Sequence, residues 1–262
     1  MNEEHVTYLN NAATSYPKPR SVRSAVLSAL DAPPSEPGRS AAGSDALTLC
    51  RRSLAELFGV GDFEKVALVP SATHALNTVI RGHCSAGGQV VTTDLEHNSV
   101  LRPLEHLRLS RGLVVRVVAP DASGLVTADA IAEELCPETK LVVVTHASNV
   151  TGGIQPIESI AERSAEVEVP VLVDASQSAG SVSLSYDSLP GRVFVVAAGH
   201  KGLLGPQGTG VLIVPDDGLS QDVVGGTGVK SEARRHPPEL PLRHEAGTPN
   251  LPGIAGLSAG VG

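Results

Sequence analysis

The sequence predicts a doubly wound α/β fold, its central sheet mostly parallel and covered by helices on both faces. Short β-branched runs alternate with segments of helical period along most of the 262 residues. Most of those runs are apolar throughout rather than alternating, the pattern of strands buried on both sides. A polar cluster then succeeds one strand after another, where ligands bind in open α/β sheets.

The elements are taken in chain order. Val22, Ala25, Val26, Ala29 and Leu30 share one helical face, and so do Leu47, Cys50, Leu54, Leu57 and Phe58. Between them "DAPPSEPGRSAAGS" (31–44) reads as a loop. Strands are expected at 65–69, 89–93, 113–118, 141–147, 169–175, 192–198 and 210–214. "SATHALNTVI" opens a helix at Ser71–Thr73. The segment 229–253 carries too many prolines for a helix or a central strand, and "GIAGLSAGVG" closes the chain in a helical pattern. Residues 1–20 are read as an N-terminal segment and 21–262 as one large domain.

Composition narrows the function. Hydrophobic residues make up 41% of the chain and aromatics only 2%, so the core must be Val, Leu, Ile and Ala, and stacking platforms for bases are scarce. A formal net charge of -8 argues against a general binder of nucleic acid or anionic membrane. Cys50, Cys84 and Cys136 are scattered without ligand spacing, so no metal site is expected. Their sparse, odd count fits a reducing compartment, the cytoplasm. No apolar run approaches the roughly 20 residues that span a bilayer, and the N-terminus lacks the apolar stretch of a signal peptide.

The polar clusters hold the candidate chemistry. Lys201 sits in "GHKGLLGPQGTG", between two apolar runs. It is either a solvated turn lysine or a buried amine whose pKa falls, free to condense with an aldehyde. Asp174 closes "VLVD" and either caps the next segment or holds a pyridine nitrogen protonated. Gln177 is a surface amide or a donor to a phenolic oxygen. Thr73 and Ser71 either cap a helix or offer a phosphate site at its start. His97 in "LEHNS" is structural or stacks on a planar ring. Asn149 makes a turn or borders that ring. Taken together they supply what pyridoxal 5'-phosphate requires. "GGTGVKS" (225–231) fails as a phosphate loop because no Gly directly precedes Lys230. No G-x-G-x-x-G comes after the first strand, and no G-x-S-x-G elbow is present.

The segments "YLNNAATSYPKP", "TTDLEHNSVLRPL", "VVTHASNVTGGIQPI", "VLVDASQSAG", "GHKGLLGPQGTGVLI" and "HEAGTPNLPGIAGL" occur in an order that resembles the cysteine desulfurase family. These are class V aminotransferase-like enzymes of fold-type I, dependent on pyridoxal phosphate. The resemblance implies the cofactor-binding large domain of that fold. It makes Lys201 the Schiff-base lysine and acid/base, with His97 stacked on the ring as the second catalytic candidate. It puts Thr73 and His200 on the phosphate, Asp174 on the ring nitrogen, Gln177 on the phenolic oxygen, and Asn149 beside ring and substrate. Thr248 would reach the phosphate of a second subunit, which implies a homodimer.

The implied activity removes sulfur from L-cysteine to give alanine, with a sulfur-acceptor protein as partner. The alternatives are another class V enzyme (aminotransferase, selenocysteine lyase or epimerase) or a silent protein of this fold. Three positions depart from the pattern: Ala198 where a hydroxyl residue is usual, Asn10 where Asp is usual, and His244 where Phe is common. Family members continue into a small C-terminal domain with a sulfur-attacking cysteine and a carboxylate-clamping arginine. The chain is read as lacking it.

Overall fold

The computed structural model describes residues 7–33, 45–84, 86–215, 218–229 and 232–262. Most of the predicted 31–44 loop, and Lys230, lie outside them.

A seven-stranded sheet organises the chain. Its strands are β1 (Val66–Val69), β2 (Gln89–Thr93), β3 (Val114–Val118), β4 (Thr139–Thr145), β5 (Val171–Asp174), β6 (Val193–Ala198) and β7 (Gly210–Ile213). Their spatial order is β1-β7-β6-β5-β4-β2-β3. Only β7 runs against its neighbours, β6 and β1, and every other pairing is parallel. The carboxyl ends of the other strands therefore share one edge of the sheet.

Alternate residues of each central strand enter different cores, which is why these runs are apolar throughout. On β6, Val193, Val195 and Ala197 face one core, while Phe194 and Val196 face the other. Val142, Val144, Val171 and Val173 join the first; Leu141, Val143 and Leu172 join the second.

Helices cover both faces. They are α1 (Arg20–Asp31), α2 (Ala46–Phe58), α3 (Ala72–Cys84), α4 (Asn98–Arg111), α5 (Ala128–Glu133), α6 (Ile157–Ala165) and α7 (Leu251–Val261). On one side α3 and α4 bury Leu76, Val79, Ile80 and Leu104. On the other, α2, α6 and α7 bury Leu54, Phe58, Ile160 and Leu257. Asp45 starts α2 by accepting the Thr48 amide, and Gly59 ends it in the left-handed conformation.

Several sequence expectations need correcting. The 113–118 run is not covered on both faces: β3 ends the sheet, paired only with β2, and Val114 and Val117 stay exposed. On α1, Val22 is buried but Leu27 and Leu30 remain exposed, because α1 lies outside α7 rather than on the sheet. The proline-rich 229–253 segment already contains the start of α7. Pro252 sits in that helix's first turn, where its missing N–H removes no helical bond. Strands expected at 141–147 and 169–175 stop at Thr145 and Asp174. Among the described residues no helix is long and apolar enough to cross a membrane.

A buried ion pair fixes the segment before α7. Arg51 donates to Glu245 and to the Val66 carbonyl, and Glu245 Oε1 accepts the Leu68 amide. Burial raises the Glu245 pKa, and Arg51 opposes that shift. The pair fastens residues 242–250 to β1, which places Thr248.

Candidate active site

The shared carboxyl edge opens into a cleft of about 450 Å³, roofed by residues of the N-terminal segment. Each side chain on it is positioned by the local chain path.

Asp174 ends β5 and is 4% exposed. Its Oδ1 accepts the Ser176 amide at 2.9 Å, so it makes a local turn and still lines the cleft. Lys201 comes after β6 in a turn closed by the Gly205 amide donating to the Gly199 carbonyl at 2.8 Å. Its side chain is half-buried on the cleft. Burial lowers its pKa, and the Asp174 carboxylate opposes that shift. The solvated-turn alternative for Lys201 is thereby excluded. His200 Nδ1 lies 3.0 Å from Thr14 Oγ1. Its pKa is lowered by burial and then by the charges of Lys201 and Lys18.

The start of α3 forms another wall. Ser71 Oγ accepts the His74 amide at 3.1 Å, so Ser71 is the cap. Thr73 is left to share a hydrogen with Ser99 Oγ at 2.8 Å on the cleft wall. His97 caps α4: its Nδ1 accepts the Ser99 amide at 3.1 Å, which puts a neutral ring's proton on Nε2. The exposed imidazole still lines the cleft. Asn149 is exposed in the turn after β4. Gln177 Nε2 donates to the Ala12 carbonyl at 3.0 Å, tying the N-terminal segment over the cleft.

Lys201, His200, Asp174, Gln177, Asn149, His97 and Thr73 thus line one cleft. Thr248 does not. It lines a separate cavity of about 260 Å³ together with His74 and Thr227. Cys50 and Cys84 are buried, their thiols pushed up to about 12 chiefly by burial. Cys136 faces Thr139, and none of the three lines the cleft. Ala198 and Asn10, two departures from the family pattern, both line it.

Sequence reasoning missed Glu96. It is 7% exposed, and its Oε1 accepts from Thr93 Oγ1 and from the Thr145 amide, each at 2.8 Å. Its pKa is pushed up to about 8 by burial, against those two hydrogen bonds, with the Asp174 charge adding to the rise. Ser99, Thr145 and Ser176 also line the cleft unpredicted.

The lysine turn touches the turn after β5 backbone to backbone. A Cβ on Gly202 would overlap the Ala179 carbonyl, and one on Gly180, at φ +79, would overlap that of Gly202. Gly202→Ala is therefore expected to destabilise the chain by about 1–3 kcal/mol. Thermal unfolding checks this; an unchanged midpoint would mean that the turn shifts aside without strain.

Known proteins show the same arrangement. The model of the aminotransferase class-V family matches residues 7–261. A probable cysteine desulfurase of Methanothermobacter thermautotrophicus is 35% identical over 76% of this chain and 50% of its own length. The cysteine desulfurase of Yersinia pestis is 30% identical over 85% of this chain and 57% of its own. The chain spans about half the length of the curated relatives it matches. Among solved structures, apo cysteine desulfurase from Thermococcus onnurineus superposes with a TM-score of 0.86 at 30% identity. That match covers 98% of this chain and 66% of the other. SspA in complex with cysteine gives 0.85 at 26% identity, over 98% of this chain and 72% of that one.

Proposed function

The chain belongs to the aminotransferase class-V family, and from that premise we propose that its cleft holds pyridoxal 5'-phosphate and acts as a cysteine desulfurase. The family depends on that cofactor. The donor set fits it: one half-buried amine of lowered pKa, a buried carboxylate that senses its charge, and hydroxyls at the start of a helix, all on one cleft. The single observation that carries the reading is the pairing of Lys201 with Asp174.

When bound, the cofactor supplies an electron-withdrawing ring that stabilises negative charge at the substrate α-carbon. Lys201 anchors it covalently, and its neutral Nζ takes and returns a proton at that carbon. Asp174 keeps the ring nitrogen protonated. Gln177 donates to the phenolic oxygen, His97 stacks on the ring, and Asn149 borders ring and substrate. Thr73 and His200 hold the phosphate with the first turn of α3. Thr248 serves the phosphate of a second copy, so the working unit is a homodimer.

No cysteine lines the cleft. The thiol that accepts sulfur accordingly comes from outside it, from a sulfur-acceptor protein or another part of the assembly. The same observation supports a second reading, in which the chain binds the cofactor and catalyses a different class V reaction or none. Three unpaired cysteines suit a reducing cytoplasm.

The test supplies an external thiol, RSH. The reaction L-cysteine + RSH → L-alanine + RSSH predicts alanine and sulfane sulfur in equal amounts, with dithiothreitol as the thiol. Amino transfer to an added keto acid, without sulfur release, would favour the aminotransferase reading. A bound-cofactor spectrum that no amino acid perturbs would favour the silent one.

A further inference from the structure

The turn carrying Lys201 is held from outside the sheet by the N-terminal segment. Four donors converge on the His200 carbonyl oxygen: Lys18 Nζ at 2.8 Å, Thr14 Oγ1 at 3.0 Å, and the Ser15 amide and Ser15 Oγ, each at 3.1 Å. Ser15 Oγ also lies 2.9 Å from the Lys201 carbonyl oxygen and 2.6 Å from Lys18 Nζ.

The hydrogen inventory resolves this crowding. An ammonium has donors only, so Ser15 Oγ must accept from Lys18. Ser15 then has a single hydrogen left. The His200 oxygen is already served by Lys18, Thr14 and the Ser15 amide, so that hydrogen goes to the Lys201 carbonyl. The resulting relay, Lys18 to Ser15 to Lys201, fixes consecutive carbonyls on both sides of the Lys201 Cα.

Lys18 is half-buried, and its hydrogen bonds end on neutral oxygens. Burial works against its charge, with no carboxylate offsetting it. A lysine kept for solubility would point its ammonium to water. We infer that Lys18 is a positioning residue for Lys201, setting the direction of the reactive amine through Ser15 Oγ and the His200 carbonyl.

The inference rests on Lys201 being the reactive amine of the proposed function, but its test needs no cofactor. Acetic anhydride labelling of Lys201 in the cofactor-free chain is followed across pH by mass spectrometry. Only the neutral amine reacts, so the midpoint reports its ionisation. Asp174 and His200 are the titratable groups that face it; Lys18 faces Ser15 and His200.

In Lys18→Met the released amine swings toward water, and the midpoint is expected to rise by about one pH unit, roughly ten-fold fewer neutral amines at a given pH. Lys18→Arg donates to the same two oxygens and is expected to restore the wild-type midpoint. An unmoved midpoint in Lys18→Met overturns the inference, even if its melting temperature falls, and so does a failure of Lys18→Arg to restore it. Should Lys18→Met not fold, Ser15→Ala breaks the same relay and must move the midpoint the same way. If the chain never takes up pyridoxal phosphate, the desulfurase function fails while this measurement still decides the role of Lys18.

Discussion

Lys201→Ala is expected to remove both the visible absorbance of bound pyridoxal phosphate and any release of alanine from cysteine, the latter by about 10²–10⁴-fold or more. The cleft holds one lysine, so no other amine there replaces it. Its pKa is lowered because burial outweighs the Asp174 charge, which enlarges the neutral fraction that attacks a carbonyl. The loss should be chemical rather than structural. The hydrogen bonds that hold the turn end on backbone oxygens of His200 and Lys201, which alanine at 201 retains. Melting temperature should therefore stay close to wild type while the spectrum disappears. Small primary amines added to the variant should restore part of the turnover. A variant that keeps both absorbance and turnover would show that another amine carries the cofactor.

Legibility in the sequence depends on how far apart the partners lie along the chain. The strands were legible because burial on both faces writes apolar residues at every position, as in Val193–Ala198. The edge strand β3 misled for the same reason. Its run is as apolar as a central strand, and only its place in the sheet leaves Val114 and Val117 uncovered. The cleft residues were legible because each comes directly after a strand, and parallel strands bring their ends together. Thr248 succeeds no strand and lies apart. Lys18 and Glu96 were not legible as site residues. Lys18 reaches its partner His200 across 182 positions, and Glu96 reaches Thr145 across 49. Local spacing carries no sign of either contact. The local alternatives for His97 and Asp174 were also real: each side chain caps or turns the backbone and lines the cleft at once.

Glu96 governs the second large effect, a fall in stability with rising pH. Its carboxyl titrates at about 8 in the fold against an ordinary value of 4.5, so between these values the folded chain holds a proton that the unfolded chain has lost. The contribution is complete below about 4.5 and is lost as pH rises toward 8, at about 1.4 kcal/mol per pH unit across that window. Above 8 the folded chain has to carry a buried carboxylate near the Asp174 charge. Glu96→Gln resembles the protonated acid in shape and keeps an oxygen for Thr93 and the Thr145 amide. Wild type should be the more stable near pH 5, where Gln adds an N–H that the buried site does not pair. The order should reverse by pH 8.5, where only the wild type has an ionised group to bury. His146 and His200, whose pKa values burial lowers, contribute to the pH dependence of both proteins and cancel in the difference. Chemical denaturation at several pH values measures that difference, and parallel wild-type and variant curves would exclude a titration of Glu96 in this range. The chemistry gains from the protonated form. A neutral acid here leaves Asp174 as the one carboxylate whose charge the Lys201 amine senses, while its Oε1 still fastens the ends of β2 and β4 around the cleft.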